Sequence, residues 1–171
     1  MSLFGSLVGS LVGSFRPASF ALGKLDCIEG HADELQACNY GEVLLSHGEL
    51  VAIYPRWWPK IASRWEAIQH TLLRSLPEDV CRAYYAFPRR APGYMTVIYA
   101  HSGPNTHYRT LYRGVKVMED IARLRNTKAM VCESVNARVD ERLLNRWGYV
   151  KHAVSLGGNH YIKRLRDTSR S

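Results

Sequence analysis

The chain has 171 residues, 46% of them hydrophobic and 22% charged. That is enough apolar material for one packed domain of the usual roughly 100–200 residues, and it excludes wholesale disorder. A net charge of +8 favours a polyanion or a phosphorylated ligand, without choosing between RNA, DNA and a nucleotide cofactor.

The first twenty residues repeat Gly-Ser-Leu-Val, with Gly5, Gly9 and Gly13 at a spacing that shares one helical face. The apolar stretch ends at Arg16-Pro17, short of the roughly 20 residues a membrane span needs, and no basic residues precede it as in a signal peptide. Two readings stand: a flexible tail over residues 1–20, or a short helix that docks on a partner or a membrane surface. The expected single domain then covers residues 21–166, followed by a frayed end at 167–171. Cys27, Cys38, Cys81 and Cys132 form no C-x-x-C pair. They read as reduced thiols, hence a cytoplasmic protein.

Residues 22–40 give no clear period and hold a strand and a short helix. Residues 43–45 and 50–54 are apolar runs joined by Ser46-His47-Gly48-Glu49, a hairpin pattern. Pro59 opens a helix whose Ile61, Trp65, Ile68 and Leu72 form one stripe. Residues 82–87 and 94–100 are rich in aromatic and β-branched side chains, as strands are, and residues 88–93 between them form an exposed tip. Gly103-Pro104 breaks the second strand from about His101.

A helix is predicted from about Gly114 to Arg125, with Leu111, Val115, Met118 and Ile121 toward the core. Lys116 with Asp120, and Glu119 with Arg123, stand four apart on its wet face. Residues 129–133 form a short strand. A second helix over 138–146 turns Val139, Leu143 and Trp147 inward and Arg138, Arg142 and Arg146 outward, and Gly148 stops it. Residues 149–154 and 160–165 close the chain as a hairpin. Strands alternating with helices predict an α/β (α+β) domain.

From Tyr94 onward this order is similar to the second half of the GNAT acetyltransferase fold. The stretch that carries the resemblance is Val131-Cys132-Glu133-Ser134-Val135-Asn136, followed by Arg142-Leu143-Leu144-Asn145-Arg146-Trp147-Gly148-Tyr149. Asn136 and the Gly148-Tyr149 pair look like the family's landmarks, and the resemblance implies that Asn136 contacts the cofactor. The resemblance covers roughly seventy residues and its motif is of medium specificity. It implies a mixed, mostly antiparallel sheet flanked by helices. It also implies acetyl-CoA, or another acyl-CoA, as cosubstrate, with transfer of the acyl group to an amine on a small molecule or peptide. The family's cofactor segment, whose backbone N–H groups close around the pyrophosphate, is best matched by Arg109-Thr110-Leu111-Tyr112-Arg113-Gly114. Tyr112 stands at the first glycine's place. Leu144 stands where the family often has a catalytic tyrosine.

N-acyl transfer needs a base for the amine proton, a donor for the carbonyl oxygen, and positioning. Glu133 ends the strand beside the expected cleft and is the candidate base; its structural alternative is pairing with Arg138 or capping the next helix. His101 and His107 flank the expected cofactor segment and are candidate proton shuttles, a role histidine is suited to. No metal is expected: Cys27, His31 and Cys38 match no familiar zinc spacing, and no Walker loop or nucleophile elbow is present. Two other functions remain open. One is a GNAT-shaped protein that binds a ligand or partner without catalysis. The other is a basic nucleic-acid-binding domain using Arg89, Arg90, Arg138, Arg142, Arg146, Lys163, Arg164 and Arg166, with Tyr84, Tyr85, Trp57 and Trp58 as stacking platforms.

Overall fold

The computed structural model describes residues 23–58, 79–133, 139–152 and 159–165. The N-terminal repeat, the helix expected from Pro59, Asn136, Arg138, the turn at 155–158 and the end from Arg166 lie outside these.

The described residues open with a bridge from Leu25 to Ile53, a 3-10 turn over Glu29–His31 and a short helix α1, Ala32–Ala37. Strands β1, Tyr40–Ser46, and β2, Glu49–Arg56, then form the expected hairpin. Its two turn residues, His47 and Gly48, both have positive φ, at 52° and 81°. That is the backbone hand that matches the twist of the flanking strands.

Next come β3, Val80–Ala86, and β4, Tyr94–Ser102. The long helix α2 covers Tyr108–Leu124, and β5 covers Ala129–Glu133. A one-and-a-half-turn helix α3, Glu141–Arg146, leads to β6, Val150–Lys151, and β7, His160–Arg164. The seven strands make one sheet in the order β2-β1-β3-β4-β5-β7-β6. The β4–β5 pair is parallel and the other pairs are antiparallel. This is the mixed, mostly antiparallel sheet flanked by helices that the resemblance implied.

Leu111, Val115, Met118 and Ile121 are buried as the helical spacing predicts. They face Val43, Leu45, Cys81, Ala83 and Met95 of the sheet in one apolar cluster. Tyr84 and Tyr85 belong to the buried interior, which removes them as platforms for stacked bases. On the alternate side of β1, Glu42 is buried and held by Arg56 of β2 at 2.9 Å and Arg82 of β3 at 3.2 Å.

Three boundaries differ from the sequence expectation. β4 continues through His101 to Ser102, because β3 still pairs with it there: Arg82 stands opposite His101 and Cys81 opposite Ser102. α3 starts at Glu141 instead of 138, since the Asp140 side chain accepts the Leu143 N–H at 2.8 Å and fixes the cap. α2 starts at Tyr108, six residues before Gly114. Its first turn is tied to Asp79 from a remote segment, which local spacing does not reveal.

One placement is also corrected. Glu119 does not sit on a wet face. Its side chain is 1% exposed and meets Lys116 at 2.9 Å, Arg123 at 3.3 Å and the ammonium of Lys163 on β7. Lys163 also donates to the Trp147 carbonyl at 2.6 Å. Burial works to raise the Glu119 pKa, but hydrogen bonds from Lys163 and Lys116 outweigh it and hold the carboxyl below its ordinary range.

Candidate functional site

β4 and β5 run side by side only from Tyr94/Ala129 to Val97/Cys132. β4 then carries five more residues with no β5 partner. The departure has a local cause. Tyr84 pairs with Tyr99 while Tyr85 pairs with Val97, so Ile98 is an extra residue in β4. Such a bulge bends its strand and increases the twist. β5 meanwhile follows β7, with Glu133 opposite His160. The sheet therefore opens at its middle.

An apolar cleft fills the opening. Val97, Ile98 and Ser102 of β4 and Cys132 and Glu133 of β5 form its two lips. α2 contributes Leu111, Gly114, Val115 and Met118, and the α3 side contributes Val139, Leu144 and Trp147. Gly114 lets α2 approach the sheet closely: a Cβ there would stand 3.2 Å from Leu45 Cδ1. The enclosed volume is about 120 Å³. Ser102 Oγ is buried and has no hydrogen-bond partner among the described residues, an arrangement a polar ligand atom would relieve. Burial raises the Cys132 thiol to about 12, and burial with the nearby Asp79 charge does the same for Cys81. Neither is an activated nucleophile at neutral pH.

Of the sequence candidates, Glu133 lies on the cleft at the exposed end of β5. His101 stands within β4. His107 is the residue before α2 and is engaged there. Its backbone N–H donates to Asp79 Oδ1 at 2.9 Å, and its Nδ1 lies 3.7 Å from Oδ2. Thr110 Oγ1 donates to the same Oδ2 at 2.8 Å. Burial opposes ionisation of Asp79, but the His107 N–H and the Thr110 hydroxyl prevail and lower its pKa. Arg109 through Gly114 form the opening turns of α2, where the sequence predicted the helix to begin only at about Gly114. Thr110, Leu111 and Gly114 are buried, while Arg109, Tyr112 and Arg113 face outward. Leu144 is 3% exposed and belongs to the core, as does Tyr149.

Sequence reasoning missed Asp79 and Ser102. Asp79 has no local partner to betray it, and the Ser102 hydroxyl becomes notable only once the strands diverge. It also missed that Tyr112 packs at a tilt against Trp147, ring centroids 6.0 Å apart and planes at 40°, where the outer faces of α2 and α3 meet. Among the described residues one cluster offers ligand atoms outside the cleft: Asp26, Cys27 and His31 bring theirs within 4.8 Å of one another. Among the described residues no helix is long and apolar enough to cross a membrane.

No family model and no curated protein sequence matches the chain. Among solved structures, a nourseothricin acetyltransferase aligns with 86% of this chain and 100% of its own, at 12% identity and a TM-score of 0.42. At that score the alignment supplies no argument for an activity or for the role of any residue.

Proposed function

We propose that the chain is an acyl-CoA-dependent N-acyltransferase working in the cleft between β4 and β5. The observation that carries this reading is the parting of two parallel strands after Val97 and Cys132. It leaves main-chain edges and an apolar slot facing one another. An extended thioester arm with amide groups suits such a slot: its amides pair with free strand edges and its methylenes with apolar walls. The unpartnered Ser102 hydroxyl in the wall supports a ligand that brings a polar atom.

Acyl-CoA would supply the activated acyl group. Glu133, at the mouth, takes the proton the acceptor amine loses as its nitrogen bonds to the acyl carbon; the carbon–sulfur bond of the thioester breaks in the same transfer, and coenzyme A leaves as the thiolate, which takes a proton from solvent. Ser102 donates a hydrogen bond into the cleft, where the low dielectric strengthens it. This reading gives His107 no step, because it does not line the cleft, and the reaction needs no metal. The acceptor is an amine on a small molecule or peptide.

The test is thermal unfolding with acetyl-CoA, followed by turnover with a panel of amines. Ligand at a hundred times its dissociation constant stabilises by roughly 2.7 kcal/mol. Absence of any shift with acetyl-CoA and longer acyl-CoAs would remove the proposal. A second reading, a non-catalytic binder of the same shape, is favoured by the aliphatic, buried Leu144 at the position of the expected tyrosine. It predicts the thermal shift without turnover.

A further inference from the structure

A helix N-terminus is a ready anion site, but at α2 this place is already taken. The Asp79 carboxylate accepts the His107 N–H and the Thr110 hydroxyl, so a phosphate arriving there would meet a fixed negative charge. Phosphates that enter the cleft's mouth need another host.

The outer faces of α2 and α3 provide one. Between them runs an open groove of about 490 Å³, within the range of small-molecule sites. Arg109 comes from α2 and Arg142 and Arg146, four apart on one face, from α3. Among the described residues none of these three guanidiniums is in an ion pair or a side-chain hydrogen bond. Tyr108 and Tyr112 are 54% and 43% exposed. Trp147 lines both this groove and the apolar cleft, so the two adjoin at its side chain. The groove also contains the Asp140 carboxylate, whose Oδ1 is committed to the Leu143 N–H. Unpaired arginines beside exposed aromatic rings suit a purine nucleotide: guanidinium binds phosphate in a fork, and a ring face takes the base.

Resting on the acyl-CoA reading, we propose that this groove holds the nucleotide end of the cosubstrate. Its phosphates bind arginine side chains from two facing helices in place of the α2 backbone amides. The affinity is then carried by side-chain charge and falls with salt. The Asp79 end of α2 contributes scaffold and no ligand contact.

The experiment compares binding of coenzyme A, adenosine 3′,5′-bisphosphate and S-acetylpantetheine to the full chain and to two variants. One is Arg142→Ala with Arg146→Ala, at exposed positions; the other is Asp79→Asn. The arginine variant is expected to bind both nucleotide ligands at least roughly tenfold more weakly, the loss of one charge-assisted contact. Its affinity for S-acetylpantetheine stays at the wild-type value, which also reports that the cleft is intact. Asp79→Asn keeps nucleotide affinity within about twofold, a few tenths of a kcal/mol. An arginine variant that binds coenzyme A as the wild type does overturns the groove assignment and leaves the acyl-CoA reading standing. Wild-type protein that binds the bisphosphate but neither coenzyme A nor S-acetylpantetheine supports the groove and removes the acyl-CoA reading. A wild-type chain that binds no nucleotide overturns the proposal. So does a single-stranded RNA that binds through the same arginines far more tightly than either nucleotide.

Discussion

Asp79 and Thr110, 31 positions apart, share a hydrogen bond of 2.8 Å that fixes where α2 begins. With the His107 N–H on its other oxygen, the carboxylate serves the helix as a cap supplied from a distant segment. It neutralises a donor and complements the dipole at once.

Replacing Asp79 by Ala is therefore expected to cost about 1–2 kcal/mol at neutral pH, the scale of a lost cap. The pH dependence has a definite sign. The folded-state pKa is lowered, so the stabilisation is complete above the ordinary aspartate value, about 3.9. It disappears as pH falls through the lower folded-state value. Denaturant titrations from pH 7 downward should show a constant gap between wild type and variant to about pH 5, then convergence in stronger acid. A gap that widens on acidification would contradict the capping role.

Glu119 and Lys163 join α2 to β7, and Lys163 continues to the Trp147 carbonyl at the end of α3. Glu119→Ala leaves Lys116, Arg123 and Lys163 crowded without their anion, and a cost of about 3–5 kcal/mol is expected. Joint replacement by Leu at 119 and Met at 163 should recover most of it, because the isolated charge and not the lost attraction dominates. Urea denaturation of the single and double variants decides this. A single variant less than about 1 kcal/mol below wild type would show the site to be solvated.

The contrast between these two carboxylates explains what the sequence made legible. The apolar stripe of α2 was readable because Leu111, Val115, Met118 and Ile121 follow one period. The β1–β2 hairpin was readable because His47-Gly48 sits between apolar runs. Gly148 ends α3 with φ at 86°, as its position suggested. Start points and charge partners were not readable, because Asp79 and Lys163 act from remote segments. The cleft was legible only as Glu133 at a strand end. Its depth comes from the Ile98 bulge, and no residue type announces a bulge there. The expectation that α2 begins only near Gly114 failed because Gly114 is used for close helix packing on Leu45, a role that looks the same in sequence as a glycine at a helix start.

Tyr112→Gly separates the two uses of that segment. In a phosphate-binding loop, glycine would tighten cofactor binding by freeing the backbone. In a helix it costs about 1 kcal/mol of propensity, and it also removes the ring that packs on Trp147. The expected result is a lower melting temperature and weaker coenzyme A binding by calorimetry. Tighter binding would restore the loop.

Gly41 tolerates no side chain. A Cβ there would overlap the Tyr85 ring, reaching 2.7 Å from Cε1, and Tyr85 is fully buried against Phe87 with centroids 5.7 Å apart. Gly41→Ala should destabilise by about 1–3 kcal/mol, the range for overpacked interiors. Adding Tyr85→Phe should not rescue it, since ring carbons are part of the overlap. Rescue would mean the hydroxyl alone sets the limit. Tyr85→Phe by itself should be close to neutral, because the buried hydroxyl has no partner among the described residues.

Cys132 gives the cleft a chemical reporter. Its thiol is half-buried on the lip formed by β5, and burial lifts its pKa to about 12. At pH 8 the reactive thiolate is roughly one part in ten thousand, so alkylation should be slow. The rate should rise about tenfold per pH unit toward pH 10, because thiolate is the nucleophile. Saturating acetyl-CoA should suppress modification at this position, read by mass spectrometry of the digested chain, with Cys132→Ser as the control that assigns the site. Rapid labelling at pH 7 would mean that water fills the space between β4 and β5. The apolar slot on which acyl-thioester binding depends would then not exist.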